Sequence, residues 1–540
     1  MSKQHDVVVI GGGHNALTLA GYLGKAGLDV CVVEFSDKVG GSTITRELVS
    51  PGFKHDWASH FHESIRGNPV IENDELGLQS KYGLKYLAPT GPIVTLVFPD
   101  NKALSIYSDM GKTCESIAQF SRRDAEAFPK YCEAGARLLR AAKIAIFSPP
   151  PSFGTFLSFL DSSDEGRDYL RVMLASPMDI AEEWFESEEI RLLLCLLAHP
   201  SDQSPLMKCG GLFGYAMSRL HSVGHALREE DKAIGSFGAI AEGGSGALAD
   251  ALAACIKDYG GTIITSAEVK SIKVENGEAK GVILANGEVI EAKKAVVSGV
   301  NVKQLFLDML KSDELPAGFQ DKVRRLTHAF FGSMKLLLAL NESPKYKAGG
   351  DADNSYYLYI APYMEEYLEI YENFRRGIPC TKMLHVSCFT LVDPTRAPDD
   401  KHSLQAFQFQ PYNLPNGGAA RWDEIKEEVG KGLLETIRSR TTNMQDENII
   451  GTRVVSPADF VRANPAMINC DVNHIHMSLS QLYGNRPLPG WSHYKTPLKK
   501  LYMTAASTHP GGGVSGASGR IAAQVVMEDL GINFKKVAAK

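Results

Sequence analysis

The sequence lacks the marks of several protein classes. Its nine cysteines are an odd, scattered set with no CxxC pair and no zinc-type spacing. That argues against a disulfide framework and points to a reduced, cytoplasmic location. There is no excess of basic charge: 57 Lys and Arg stand against 63 Asp and Glu, a net of −6. Phosphate backbones demand the opposite footprint, so nucleic acid is not expected as the partner. No apolar run approaches the roughly 18 residues of a membrane span; Leu192 to Ala198 is among the longest. The N-terminus enters a strand at once and leaves no room for a signal peptide. Internal repeats and low-complexity tracts are missing too. What is present is length: 540 residues, about three domains' worth at roughly 100–200 residues each. Hydrophobic residues at 44% and charged residues at 22% are ordinary for a globular protein.

The two ends of the chain carry the clearest signals. Val7-Val8-Val9-Ile10 reads as a buried strand, Gly11-Gly12-Gly13 as a turn, and about Asn15 to Ala26 as a helix. Val30-Cys31-Val32-Val33 is a second buried strand, closed by Glu34, 21 residues after Gly13. This is a βαβ unit with dinucleotide-binding spacing. Gly11 permits the tight turn, Gly13 lets a pyrophosphate approach, and Ala16 is small enough to replace the third glycine. The helix N-terminus favours phosphate, and Glu34 is placed to accept ribose hydroxyls. Gly40-Gly41, followed by Ser42, offers a second stretch of backbone and favours FAD over NAD. Near the C-terminus, Leu501 to Ala506 reads as a strand, Ser507 to Gly513 as a glycine-rich loop, and about Val514 to Leu530 as a helix. Gly516, Gly519 and Ala523 form a small-residue stripe on that helix. The last residues, from Asn533, read as a frayed tail.

These motifs resemble the phytoene desaturase-like branch of the FAD-dependent amine oxidase superfamily. The resemblance rests on Val7 to Ala16 with Glu34 and Val39-Gly40-Gly41, on Glu242 to Leu248 with Ala267-Glu268-Val269, and on Leu501 to Ala517. It implies an α/β protein: a discontinuous Rossmann-type FAD-binding domain with a β-meander, plus a mixed α+β substrate domain built from two inserts. The implied division is 1–70, 236–300 and 491–540 for FAD, with inserts at 71–235 and 301–490. Non-covalent FAD would contact Gly11, Gly13, Glu34, Gly40 and Gly41, with His14, Asn15, Ala16 and Ser42 in the same loops. Val269 would meet the adenine, and Gly513 and Val514 the flavin ring. Lys38 stands where many relatives have arginine.

In the middle of the chain, Asn276-Gly277 and Asn286-Gly287 predict hairpins within residues 262–298. Gly244, Gly246 and Ala249 also fit a GxGxxA pattern, but the glycine-broken stretch from Ser236 to Ile240 makes a poor strand. A helix beginning beneath the FAD is the better reading. Helical stretches are expected near 112–147 and 181–198 and from Asp423 to Arg438. Strand-like runs extend from Met334 to Leu340 and from Met383 to Val386. Glu133, Arg137, Arg140 and Lys143 share one helical face, which reads as solvated or as a peripheral membrane contact.

A flavin supplies hydride acceptance, so no catalytic triad is expected. His509 is the first catalytic candidate, in a loop that should approach the ring. His60 and His62 follow the second glycine motif. His474 and His476 alternate as on a strand without the company of metal ligands, so no metal is expected. The expected reaction is hydride removal from a largely apolar small molecule, by C–C desaturation. Amine oxidation, redox-neutral isomerisation and a low-turnover FAD-bearing scaffold are the alternatives. Oxygen or a quinone would serve as electron acceptor.

Overall fold

The computed structural model describes residues 3–198, 204–220 and 239–539. Two seven-stranded sheets organise it. The first takes strands from three distant parts of the chain. In space the order runs Val269–Glu275, Glu278–Leu284, Val289–Ser298, Lys3–Ile10, Val30–Val33, Thr262–Ile264, with Leu501–Met503 also paired to Val289–Ser298. The centre of this sheet is parallel. Its central strands are apolar on both faces because helices cover one side and the segments that carry Leu305, Phe306, Phe319 and Leu488 cover the other. The expected hairpins are the antiparallel edge, turned at Asn276 and Gly277 with positive φ.

Helix His14–Lys25 lies under this sheet, buried from Asn15 to Gly24 between helices Gly246–Asp258 and Ala517–Asp529. The small-residue stripe is explained by this packing. A Cβ on Gly519 would stand 2.1 Å from the Asn15 carbonyl oxygen, so the two backbones touch. The C-terminal helix begins at Ala517, later than the sequence suggested, because Gly516 is left-handed (φ +62°). The tail is not frayed either. Helix Phe534–Ala538 docks Phe534 on Tyr22, ring centroids 5.3 Å apart, with the Arg520 guanidinium over the Phe534 ring.

The second sheet runs Ile449–Val455, Phe331–Leu340, His402–Pro411, Leu384–Cys388, Tyr357–Ile360, Val94–Val97, Ala103–Ile106. One face buries Leu336, Leu338, Leu404, Val386 and Leu358 against helix Trp422–Arg440. The other faces the first unit. Two of the expected helical stretches prove to be pairs, Met110–Ala118 with Arg122–Ile146 and Pro177–Trp184 with Glu188–Leu197, while the third is the single helix Trp422–Arg440. Ser121 accepts the Asp124 N–H and so starts Arg122–Ile146 afresh after the first break; Ser187 heads Glu188–Leu197 without a side-chain cap bond. On the helix face read as solvated, Arg137 lies 3.6 Å from Glu133 and Lys143 pairs with Glu72 at 2.8 Å. The GxGxxA decoy opens onto protein: a Cβ on Gly244 would collide with the Thr45 side chain. Ser236 to Gly238 lie outside the described residues.

A buried charge cluster joins the two units. Arg396 bonds Asp56 at 2.7 Å and Asp393 at 3.1 Å, and all three are fully buried. The Asp56 carboxylate also accepts from the Thr45 hydroxyl and the Ser245 N–H. Burial alone would raise its pKa, yet Arg396, the Thr45 bond and Lys335 bring it below the ordinary value. Arg396→Met should lower stability by about 3–5 kcal/mol, because it strands two buried carboxylates. Urea unfolding of the variant would measure this, and adding Asp56→Asn should recover part of the loss.

Candidate functional site

A cavity of about 680 Å³ lies between the two units. Its nucleotide end is built from the loops after the first two strands and from the C-terminal glycine loop. A Cβ on Gly13 would meet nothing within 4 Å, so the cavity opens directly over its backbone. His14 Nε2 and Asn15 Oδ1, at the start of the first helix, are buried without hydrogen-bond partners. Burial lowers the His14 pKa to about 4, against a contact with the Gly513 backbone. Glu34 is also buried. Its carboxylate accepts the Gly12 N–H at 2.5 Å and the Ser36 N–H at 2.7 Å. Desolvation raises its pKa despite those bonds. Gly513 is left-handed (φ +86°), and the nearest atom to a Cβ there is Ser64 Oγ at 4.0 Å. A larger residue would be strained and would fill the open space.

Of the residues singled out from the sequence, Gly11, Gly13, His14, Asn15, Ala16, Glu34, Gly41, Ser42, Val269, Gly513 and Val514 line this cavity, and so do His60 and His509. Three others do not. Lys38 points to Asp250, 3.2 Å away. Gly40 braces the turn behind the wall: its N–H bonds the Gly12 carbonyl, and a Cβ would strike the Thr43 carbonyl at 2.4 Å. His62 is a buried pin, with Nδ1 3.1 Å from the Tyr86 hydroxyl and Nε2 2.8 Å from the Ser245 hydroxyl. His474 sits in a loop, not on a strand, and lines the cavity as well.

The other half of the cavity is walled by the second sheet. Cross-strand register sets Lys335, Phe407, His385 and Tyr359 in one row. Tyr357, Phe61 and His60 pack around it; the His60 and His385 rings are 5.3 Å apart. Neither His60 nitrogen makes a well-formed hydrogen bond. Burial, then the Lys335 charge and His385, hold its pKa well below 6.5, so the ring is neutral. Across the cavity stand Leu139, Ala142, Ile146, Phe147, Leu196 and Leu212. Lys335 and His385 were missed in the sequence. The available signal was a charged or polar residue interrupting a buried strand. Lys335 Nζ is fully buried and donates to the Asp56 and Ala58 carbonyls and to Gln405 Oε1. Among the described residues no cluster of three or more His, Cys, Asp or Glu is placed to hold a metal ion.

Open backbone at Gly13 and Gly513, with orphaned polar atoms at His14 and Asn15, fits a phosphate-bearing cofactor with a flat ring. The motif of flavin-containing amine oxidoreductases matches residues 17–407, and the chain belongs to that family. FAD is accordingly its cofactor. The chain is 29% identical to rat pyridine nucleotide-disulfide oxidoreductase domain-containing protein 2, covering 98% of this chain and 94% of that one. Phytoene desaturase of Pseudescherichia vulneris is 24% identical, over 97% and 99%, in keeping with the branch read from the motifs. Cyclohexylamine oxidase of Brevibacterium oxydans shares the fold, with a TM-score of 0.55 at 16% identity over 98% and 99%.

The purified protein should be yellow, and acid precipitation should release its FAD. Glu34→Ala should weaken FAD binding by about 1.5–3 kcal/mol, the range for hydrogen bonds to a charged group; equilibrium titration of the apoprotein would measure it. Lys335 supplies a pH test. Burial lowers its pKa from 10.5 to about 7, so between those values the unfolded chain holds the proton and the folded chain does not. Stability should therefore rise as pH goes from 7 towards 10. Lys335→Met should flatten that slope in urea titrations.

Proposed function

We propose that the protein is an FAD-dependent dehydrogenase that desaturates a C–C bond of a largely apolar small molecule. One observation carries this reading. Among the described residues the carboxylates lining the cavity are Glu34 and Glu268, both at the nucleotide end. The remaining wall is largely aliphatic and aromatic, with neutral His60 facing it and the buried Arg396 cation behind. Such a wall favours an uncharged chain over an ammonium ion. Bound FAD supplies the hydride acceptor. Desaturation also releases a proton, and the neutral His60 imidazole is the group proposed to hold it.

The tyrosine- and phenylalanine-rich wall supports a second reading, oxidation of an amine bound as its neutral form. We further propose the domain division at 70, 235, 300 and 490, a reducing cytoplasmic location in keeping with nine free cysteines, and peripheral contact with an apolar surface. Ile144 and Phe159 are 72% and 74% exposed, and Ala145 to Phe147, between them in sequence, line the cavity. No helix of the described residues is long and apolar enough to cross a membrane.

The experiment is anaerobic bleaching of the flavin by polyenes, terpenes and amines, then readmission of oxygen or a quinone. Bleaching by an alkene-forming hydrocarbon supports desaturation; bleaching by amines alone overturns it. His60→Ala should slow bleaching by about 10²–10⁴-fold, the usual contribution of a general acid or base, while keeping FAD at one per chain.

A further inference from the structure

His509 is 3% exposed, on the cavity wall, in the loop that leads to Gly513. Its Nε2 lies 2.9 Å from the Ala145 carbonyl oxygen. A carbonyl only accepts, so Nε2 carries the ring proton and Nδ1 is left as an acceptor. Nδ1 is buried without a partner. Burial lowers the ring's pKa to about 4, which keeps it neutral. Proton exchange through Nε2 would break the bond to Ala145, so the geometry fits a holding role better than a catalytic one.

What His509 holds is the end of a helix. Ala145 is in the last turn of Arg122–Ile146, where carbonyls have no partner within the helix. His509, from the C-terminal glycine loop, therefore caps this helix where the two walls of the cavity meet. A second tie lies two residues away in the same turn, where Lys143 Nζ meets Glu72 Oε2 at 2.8 Å. The same stretch forms the cavity's apolar roof through Leu139, Ala142, Ala145, Ile146 and Phe147, while Ile144 between them faces out. One helical turn thus has the cavity on one side and the outside on the other.

We propose that His509 is a positioning residue for this roof. Its bond to Ala145, backed by the Lys143–Glu72 pair, sets how far the last helical turn stands open over the cofactor. That opening selects which lengths of apolar chain reach it. The inference rests on the apolar-substrate reading for its choice of ligand, but the movement of the roof can be measured without any substrate.

Iodide quenching of flavin emission and the rate of sulfite addition to FAD in the holoprotein report access to the ring. His509→Ala should raise both by about two- to tenfold, the population shift expected from losing one neutral hydrogen bond. His509→Gln keeps an N–H donor and should stay near wild type. Lys143→Ala removes the other tie and should also raise both. With a series of apolar substrates of increasing length, His509→Ala should change KM and the length preference far more than kcat for the shortest member. Unchanged iodide and sulfite access in His509→Ala with full FAD content would overturn the proposal. So would a uniform drop in flavin reduction with access unchanged, which would make His509 catalytic. If His509→Ala fails to retain FAD, Lys143→Ala decides: raised access supports the roof, and wild-type access overturns it. Raised access without bleaching by any apolar substrate would keep the roof and discard the substrate reading.

Discussion

The Asp56 carboxylate is the constraint on which the rest of the architecture depends. It ends a short strand of the first unit, yet its partners come from everywhere: Thr45 nearby, Ser245 at the start of a distant helix, and Arg396 from the second unit. Arg396 in turn holds Asp393, whose other oxygen contacts are with Thr395 and the Gly243 N–H. Fully buried ions are costly unless every one is paired and hydrogen-bonded. These groups satisfy one another only when the two units stand in a single relative position. The cavity is the space that this position leaves between them.

That arrangement also explains the character of the cavity. At the nucleotide end the wall is backbone, because glycines let it come close to a ligand, and helix His14–Lys25 presents its N-terminus. At the far end the wall is side chain, because a sheet projects alternate residues to one face. Lys335 lies in that row but directs its Nζ back to the Asp56 and Ala58 carbonyls. It fixes the stretch that leads to His60 and leaves an aromatic surface towards the cavity. A buried lysine bonded to three acceptors and a histidine with no well-formed hydrogen bond are unequal costs; the second is the one that a ligand can relieve.

The nucleotide end was legible in the sequence because its chemistry is local. Gly11, Gly13 and Glu34 belong to one βαβ unit, and their spacing follows from the lengths of a strand, a turn and a helix. Asn276-Gly277 could be read as a turn for the same reason. Where local reading failed, a distant contact was responsible. Gly40, next to the motif, braces the Gly12 turn from behind, and His62, two residues from His60, is consumed by Tyr86 and Ser245. The tail at Phe534 looked frayed because its partner, Tyr22, is more than five hundred residues away in the chain.

The sequence alone therefore determined the cofactor and the architecture that holds it: turn, helix and strand lengths are set by neighbouring residues. Tertiary structure decided the far half of the site. The alignment of Lys335, Phe407, His385 and Tyr359 is a product of strand register across four separated segments, and the joining of His509 to Ala145 spans 364 positions. No local pattern encodes such pairings, because they follow from how burial and charge pairing are satisfied by the whole chain at once.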